Sequence, residues 1–566
     1  MRWVLALFVS GLVSADTVRS DLGGFQQEFE GRVVRRDGNT ATLETDWGSV
    51  LVDPGKAGTL EVEERRLPIH EHGERAAKLG AKDAEAWRAH AAWCTENGLP
   101  VRARQALRRV RALTGGDSPE EKPGQGAVLW ESQDGALAAE DGIHLAPDFD
   151  SWKLLGEHPS HQAIFEARGL GARVFASCTT RPMEIPPGEI WALDLETGKF
   201  ALEKELPEVG CLEIVRAGGK LYVPGTEPMQ GYELGNVYVF DGKAWVQRRA
   251  IPHGLHVTGF ARCAGWLWAG SGGGALGACL WRSDDEGATW ELAAQRRDHG
   301  RVYGLFAWGD VLLAVLDFRT LAKWDGSKLV SAGAPPFDTL YPAFAPHGAR
   351  LFVGTRTGGF LTDLRKWDRF DPATHFVDAV AAGPTLFAAA DTGPRTGKPV
   401  EGSQAALGAR TDTIGVVLRS EDGLDWKRVW KAPDGLAVTS VEVWGGRLFA
   451  TTFGKARLYG TTEFVNAGTV RSKPLTLSVG PARLDIEAAV PKGTSVEVRV
   501  RCAATPAKLA AAVFAGPDGT AKTFYDIDRA DLGKPHQVRG VFEVELTLRG
   551  SREASPVVRR VSFAGT

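Results

Sequence analysis

Titratable side chains recur in this chain at one place in a repeated stretch of sequence. Counting back about nine residues from each short turn that precedes an apolar tetrad gives a column of Gly210, His256, Arg301, Leu340, His375 and Ala437. His161 stands near the corresponding place in the first stretch. Three positions on, a second column reads Glu213, Gly259, Gly304, Ala343, Asp378 and Ser440. If the repeat gathers these columns, Glu213, His256, Arg301, His375 and Asp378 form one polar ring, with His253 and His299 just ahead of two members. Such a ring offers a ligand carboxylate acceptors, a guanidinium for anions and imidazoles that change charge near neutral pH. It also contains the ingredients of general acid–base catalysis. Two His and two carboxylates could hold a divalent cation, but no short-range ligand spacing marks one. The plain alternative is a polar mouth that only holds water. We assign ligand binding to the five residues, and neither a catalytic nor a metal role.

The elements that must position them are short strands. Apolar tetrads occur at Arg173-Val174-Phe175-Ala176, Lys220-Leu221-Tyr222-Val223, Trp266-Leu267-Trp268-Ala269 and Val311-Leu312-Leu313-Ala314. They continue at Arg350-Leu351-Phe352-Val353, Thr385-Leu386-Phe387-Ala388 and Arg447-Leu448-Phe449-Ala450. Each is preceded by a turn and followed by a further strand, an acidic turn and an aromatic. Seven such units about 35 to 62 residues apart predict a β-propeller over 126–465. Eight is the alternative count. Residues 126–155 form a partial unit, explained if the ends of the repeat pair to close the ring and leave no free strand edge.

The acidic turns refine this expectation. Ser283-Asp284-Asp285-Glu286-Gly287-Ala288-Thr289-Trp290 is a complete S-x-D-x-G-x-T-W string, and Ser420-Glu421-Asp422-Gly423-Leu424-Asp425-Trp426 is a shortened one. Weaker relatives start at Asp148, Asp241 and Asp363. In such turns Ser and Asp bond nearby backbone, Gly takes the unusual dihedral and Trp plugs the blade. The region resembles the Asp-box propellers of the sialidase and sortilin kind. That resemblance implies architecture, because the boxes are structural turns away from the usual ligand face. It does not extend to sialidase chemistry. No F-R-I-P or Y-R-I-P string occurs; the nearest, Arg181-Pro182-Met183-Glu184-Ile185-Pro186, has the wrong spacing. No arginine triad or Tyr–Glu pair can be matched.

Around the repeat lie other modules. Arg2 and the apolar stretch Trp3 to Val13, ending in Val13-Ser14-Ala15, read as a signal peptide over 1–15. Alternation over 27–70 predicts a small β domain. Asp83 to Leu113 has helical periodicity with Asp83 as N-cap, giving a tetratricopeptide-like hairpin within 76–116. A polar linker, 117–124, follows. Alternating strands over 466–566 predict a β-sandwich resembling those appended to exported bacterial propellers and hydrolases.

The six cysteines make no CxxC pair; Cys178 with Cys211 is the disulfide first expected, buried free thiols the alternative. A net charge of -3 gives no reason to expect nucleic acid, and no stretch is long enough for an integral membrane domain. No cofactor is indicated. The chain therefore reads as a mainly β, secreted or periplasmic, cell-surface binding protein whose propeller faces a glycan or an extracytoplasmic protein. The alternative is a polysaccharide hydrolase or lyase acting at the channel mouth.

Overall fold

The computed structural model describes residues 16–21, 26–55, 58–64, 67–115, 130–179, 187–208, 210–225, 235–249, 251–317, 320–335, 341–371, 373–394, 413–477, 482–525, 530–531 and 540–565. The expected signal peptide, linker 117–124, Leu340 and the string 181–186 lie outside these residues.

Among the described residues seven four-stranded antiparallel units form the ring. Their innermost strands are Ala163–Leu170, Val215–Ala217, His256–Cys263, Val302–Trp308, Ala343–His347, His375–Ala382 and Ala437–Trp444, in blades 1 to 7. The apolar tetrads are the second strands, and the last three residues of each are almost wholly buried; Val174, Leu221, Leu351, Leu386 and Leu448 are all 0% exposed. Closure is by strand exchange: Trp152–Glu157 pairs antiparallel with Arg457–Thr461 and supplies the outer strand of blade 7. The chain then enters blade 1, and the pair Ala163–Phe453 bridges the first and last blades.

The described strands of 130–145 do not belong to the ring, contrary to the sequence expectation. Trp130–Asp134 pairs with Ala467–Ser472, and Gly142–Leu145 pairs with both Ala136–Ala139 and Val557–Gly565. The cause is apolar alternation: Ala136, Ile143 and Leu145 bury themselves with Val470, Val498, Val544 and Leu546 in one core. These strands complete two facing five-stranded sheets with the C-terminal region. The hairpin they form leans on the propeller, where Gln133 Nε2 donates to Ala382 O (2.8 Å) and Thr385 Oγ1 (2.6 Å).

At the other end, a five-stranded sheet precedes α1 (Pro68–Ala76), α2 (Ala84–Glu96) and α3 (Pro100–Thr114). Asp83 caps α2 as expected, accepting from Ala86 N at 2.9 Å; α1 is an element that the sequence reading left out. This module docks on blade 3. Val18, Phe29 and Leu43 share one core with Phe260, Trp281 and Trp290, and Leu292 N donates to Trp47 O at 2.8 Å.

The turn Ser283–Trp290 is the polar half of that joint. Ser283 Oγ accepts from Gly287 N (2.9 Å), Asp285 Oδ1 accepts from Thr289 N (2.9 Å), and Gly287 has φ 80°, so the turn is self-sufficient. Asp284, which makes none of these turn bonds, points at α3, whose Arg104 also lies 3.3 Å from Asp285. There Arg104 Nε lies 2.8 Å and Arg108 3.1 Å from the Asp284 carboxylate, while Arg108 also pairs with Glu291. Four-residue spacing puts both arginines on one helix face. Burial raises the Asp284 pKa, but the two arginines outweigh it and hold it below the carboxylate range.

Asp284→Ala should leave the turn folded and loosen α3, since partly buried bonds between charged groups contribute about 1.5–3 kcal/mol. Hydrogen exchange on α3 amides should accelerate accordingly, with blade 3 amides unchanged.

Candidate functional site

The inner strands surround a cavity of about 530 Å³ to which all seven blades contribute. Its chemistry starts from irregularities in those strands. Register shifts fall between Ile164 and Glu166, Thr258 and Phe260, Val302 and Gly304, Phe376 and Asp378, and Val438 and Ser440. An unpaired residue at a bulge re-aims its neighbours and frees backbone groups from the ladder.

Channel side chains accept backbone N–H groups across the blade boundary, one of them the Gly259 N–H freed by its bulge. Glu166 Oε2 accepts from Ile214 N (2.6 Å), and Glu213 Oε2 from Gly259 N (3.0 Å). Asp378 Oδ2 accepts from Val441 N (3.0 Å), and Ser440 Oγ from Ala167 N (3.3 Å). Blades 6, 7, 1, 2 and 3 are thus clasped in succession. Between blades 3 and 4 the device changes. A Cβ on Gly259, which has φ 65°, would lie 2.8 Å from Leu305 N, so the backbones approach directly and Thr258 Oγ1 donates to Val302 O.

The cavity is consequently two-faced. On the charged side, Arg168 reaches Glu166 (2.6 Å), Asp378 (3.5 Å) and Glu442 (3.6 Å). Arg216 pairs with Glu442 (3.0 Å) and lies 4.5 Å over Trp444. It also meets Glu140 (2.6 Å), at the tip of the sandwich-side hairpin. On the other side, Phe260, Leu305, Phe306 and Phe344 line the wall, with Phe306 and Phe344 stacked at 5.2 Å. Burial pushes Glu213 up to about 7 against the opposing bond from Gly259. It pushes Glu166 up to about 8, with Arg168 opposing and Glu213 and Asp378 adding. Burial also raises Glu442, against Arg216 and Arg168.

Of the five residues in the expected ring, Glu213 and Asp378 line this cavity and three do not. His256 opens the inner strand of blade 3 and pairs with Gly272. Arg301 lies over Tyr303 (5.3 Å), and its backbone N–H bonds Asp317. His375 is 1% exposed, its Nδ1 3.7 Å from Asp391, inside blade 6. The residues that line this cavity stand further along the strands, beyond the bulges. Of the neighbouring histidines, His253 packs 4.3 Å from Phe29 at the N-terminal joint, and His299 meets Asp317 at 3.0 Å.

Sequence reasoning missed Glu166, Arg168, Arg216 and Glu442. The signal for Glu166 was present: it stands seven residues before Arg173, as Glu213 precedes Lys220 and Asp378 precedes Thr385.

Two further polar clusters lie outside the channel. His158, His161 and Glu189 gather where the closing strand hands over to blade 1, with His158 Nε2 2.8 Å from Glu189. His72, His90 and Cys94 gather between α1 and α2. All six cysteines are free thiols. The expected Cys178–Cys211 disulfide is not formed; burial of both side chains in apolar cores raises both thiol pKa values.

No protein-family model and no curated protein matches the chain. Solved structures with a similar chain path are propellers. Virginiamycin B lyase from Staphylococcus aureus is 9% identical with TM-score 0.40, covering 55% of this chain and 98% of its own. BamB from Moraxella catarrhalis is 15% identical with TM-score 0.33, covering 59% and 97%. The WD40 propeller domain of Doa1 is 12% identical with TM-score 0.37, covering 55% and 97%. At these identities the likeness concerns fold alone. No described helix is long and apolar enough to cross a membrane.

A folded-state pKa raised above the unfolded value means that ionisation disfavours the fold. Stability contributed by neutral Glu213 is present below about 4.5 and is lost as pH rises towards about 7. Glu213→Gln keeps an acceptor for Gly259, and its urea midpoint should fall less than wild type across that window.

Proposed function

We propose that this is an exported binding protein whose propeller channel holds a glycan, with an extracytoplasmic protein as the other partner class. The observation that carries the reading is the two-faced cavity. Stacked phenylalanines offer flat apolar contact, and fixed carboxylates opposite them accept hydrogen bonds from hydroxyls. Sugars present these two kinds of surface, and binding pockets commonly combine an apolar lining with a few placed polar groups. Export accords with the signal-like start and with the resemblance to Asp-box propellers bearing an appended sandwich.

A hydrolase or lyase is the second reading, favoured by one observation. Glu213 and Glu166 are carboxyls raised towards neutrality, the condition for a general acid. Against it, each has one oxygen committed to a neighbouring blade, so protonation chemistry there would disturb the ring itself.

A glycan array should show a ligand for the wild type that is lost with Phe344→Ala and weakened roughly tenfold or more with Glu213→Ala, the scale of one charged hydrogen bond. Unchanged binding in Glu213→Ala and Asp378→Ala would remove the channel as the site. Release of reducing or unsaturated sugar ends from a polysaccharide panel would favour the enzyme instead.

A further inference from the structure

We infer that His72, His90 and Cys94 form a site for one zinc-class divalent cation that pins α1 to the helical hairpin. His90 and Cys94 are four residues apart on α2 and so share one helix face; His72 faces them from α1. His72 Nδ1 and His90 Nε2 are 3.0 Å apart, and Cys94 Sγ is 3.6 Å from the first and 3.7 Å from the second. A tetrahedral zinc with metal–nitrogen distances of about 2.05 Å and metal–sulfur of about 2.3 Å needs edges of about 3.3 Å between nitrogens and about 3.5 Å from nitrogen to sulfur. The three atoms already form one face of that tetrahedron to within about 0.3 Å. Cys94 is 0% exposed, His90 4% exposed and His72 intermediate, which leaves the fourth position on the His72 side for water.

The alternative cluster shows what the geometry excludes. His158 Nδ1 accepts backbone N–H bonds from Ser160 (3.1 Å) and His161 (2.8 Å). Its proton therefore sits on Nε2 and is donated to Glu189, so no lone pair faces a cation there. At His72, His90 and Cys94 no backbone bond fixes the tautomers in this way. On binding, one proton leaves the Cys94 thiol for solvent and each ring proton moves to the nitrogen away from the metal. Three arginines act on the cluster; Arg75 pairs with Glu71 (2.6 Å), and Arg32 and Arg102 share Glu44, Arg102 at 3.6 Å. His90 is held flat against Trp93, with ring centroids 5.9 Å apart at 9°.

The site also answers a packing problem. The core here is small, consisting of Ile69, Cys94, Leu99 and Ala103 with Leu67 and Trp93 against it. Of α1 only Ile69 and His70 are buried. A metal link between α1 and α2 supplies what so few apolar contacts cannot.

The test uses the full chain, stripped with chelator and titrated with Zn(II), and in parallel with Co(II). The expected result is one Zn(II) per chain, a sulfur-to-cobalt charge-transfer band, and a rise in the melting temperature of the helical module. Cys94→Ala should abolish the band and weaken Zn(II) binding by ~100-fold or more, since even outer groups of metal sites contribute ten- to a hundred-fold. Cys263→Ala, with a thiol elsewhere, should change neither. Because Cys94→Ala removes a buried side chain, His72→Ala, at a less buried position, provides the second arm and should lose Zn(II) likewise. No stoichiometric Zn(II) uptake by the wild type, or uptake unaffected by both variants, would overturn the inference.

Discussion

The ring depends on hydrogen bonds that channel side chains accept from the backbone of the next blade. A propeller blade satisfies its own backbone through its sheet, but a bulge in the innermost strand breaks the ladder beside a cavity. An N–H left there without a partner costs on the order of 1–3 kcal/mol. Glu213 takes such a group at Gly259, and Glu166, Asp378 and Ser440 each accept from one backbone N–H of the adjacent blade beside the cavity. The same atoms therefore hold the blades in order and furnish the polar wall. Where the column turns to Gly259, Gly304 and Ala343 the wall becomes apolar, because Phe260, Leu305, Phe306 and Phe344 then face the space. The cavity's two faces follow from which blades use a carboxylate as clasp and which use close backbone approach.

The flanking modules attach to fixed points of this ring. Blade 3 meets the N-terminal module through the outward Asp284 of its acidic turn, a residue that the turn itself does not need. The sandwich-side hairpin reaches blade 6 through Gln133 and the channel rim through Glu140. Both joints set an acidic residue of a turn, Asp284 or Glu140, against arginine of the facing module. Of the flanking modules only the sandwich side, through Glu140, lines the cavity, beside Glu213 and the phenylalanine wall.

Much of the architecture was legible in the sequence because period-two apolar alternation and Gly-containing turns are local signals. The tetrads, the acidic turns and the capping role of Asp83 are read from neighbouring residues. What was illegible depended on pairing partners far away. Nothing local distinguishes Gly142–Leu145, which joins a sandwich sheet, from Trp152–Glu157, which closes the ring. The expected site was half legible for a related reason. Counting from the turns located Glu213 and Asp378, but the bulges decide which side chains face inwards. His375 at a strand start is buried within its blade as a result. His72 and His90 are eighteen residues apart, on separate helices, so only folding brings them to Cys94.

The central claim is that channel carboxylates clasp successive blades. It is tested most directly by amide hydrogen exchange at Ile214, Gly259 and Val441 in the wild type and in Glu166→Ala, Glu213→Ala and Asp378→Ala. Each variant should lose protection at its own partner amide, in that order, while the other two partner amides keep most of theirs. Asp378→Asn, which retains an acceptor, should largely preserve Val441. Protection unchanged at all three amides would contradict the account.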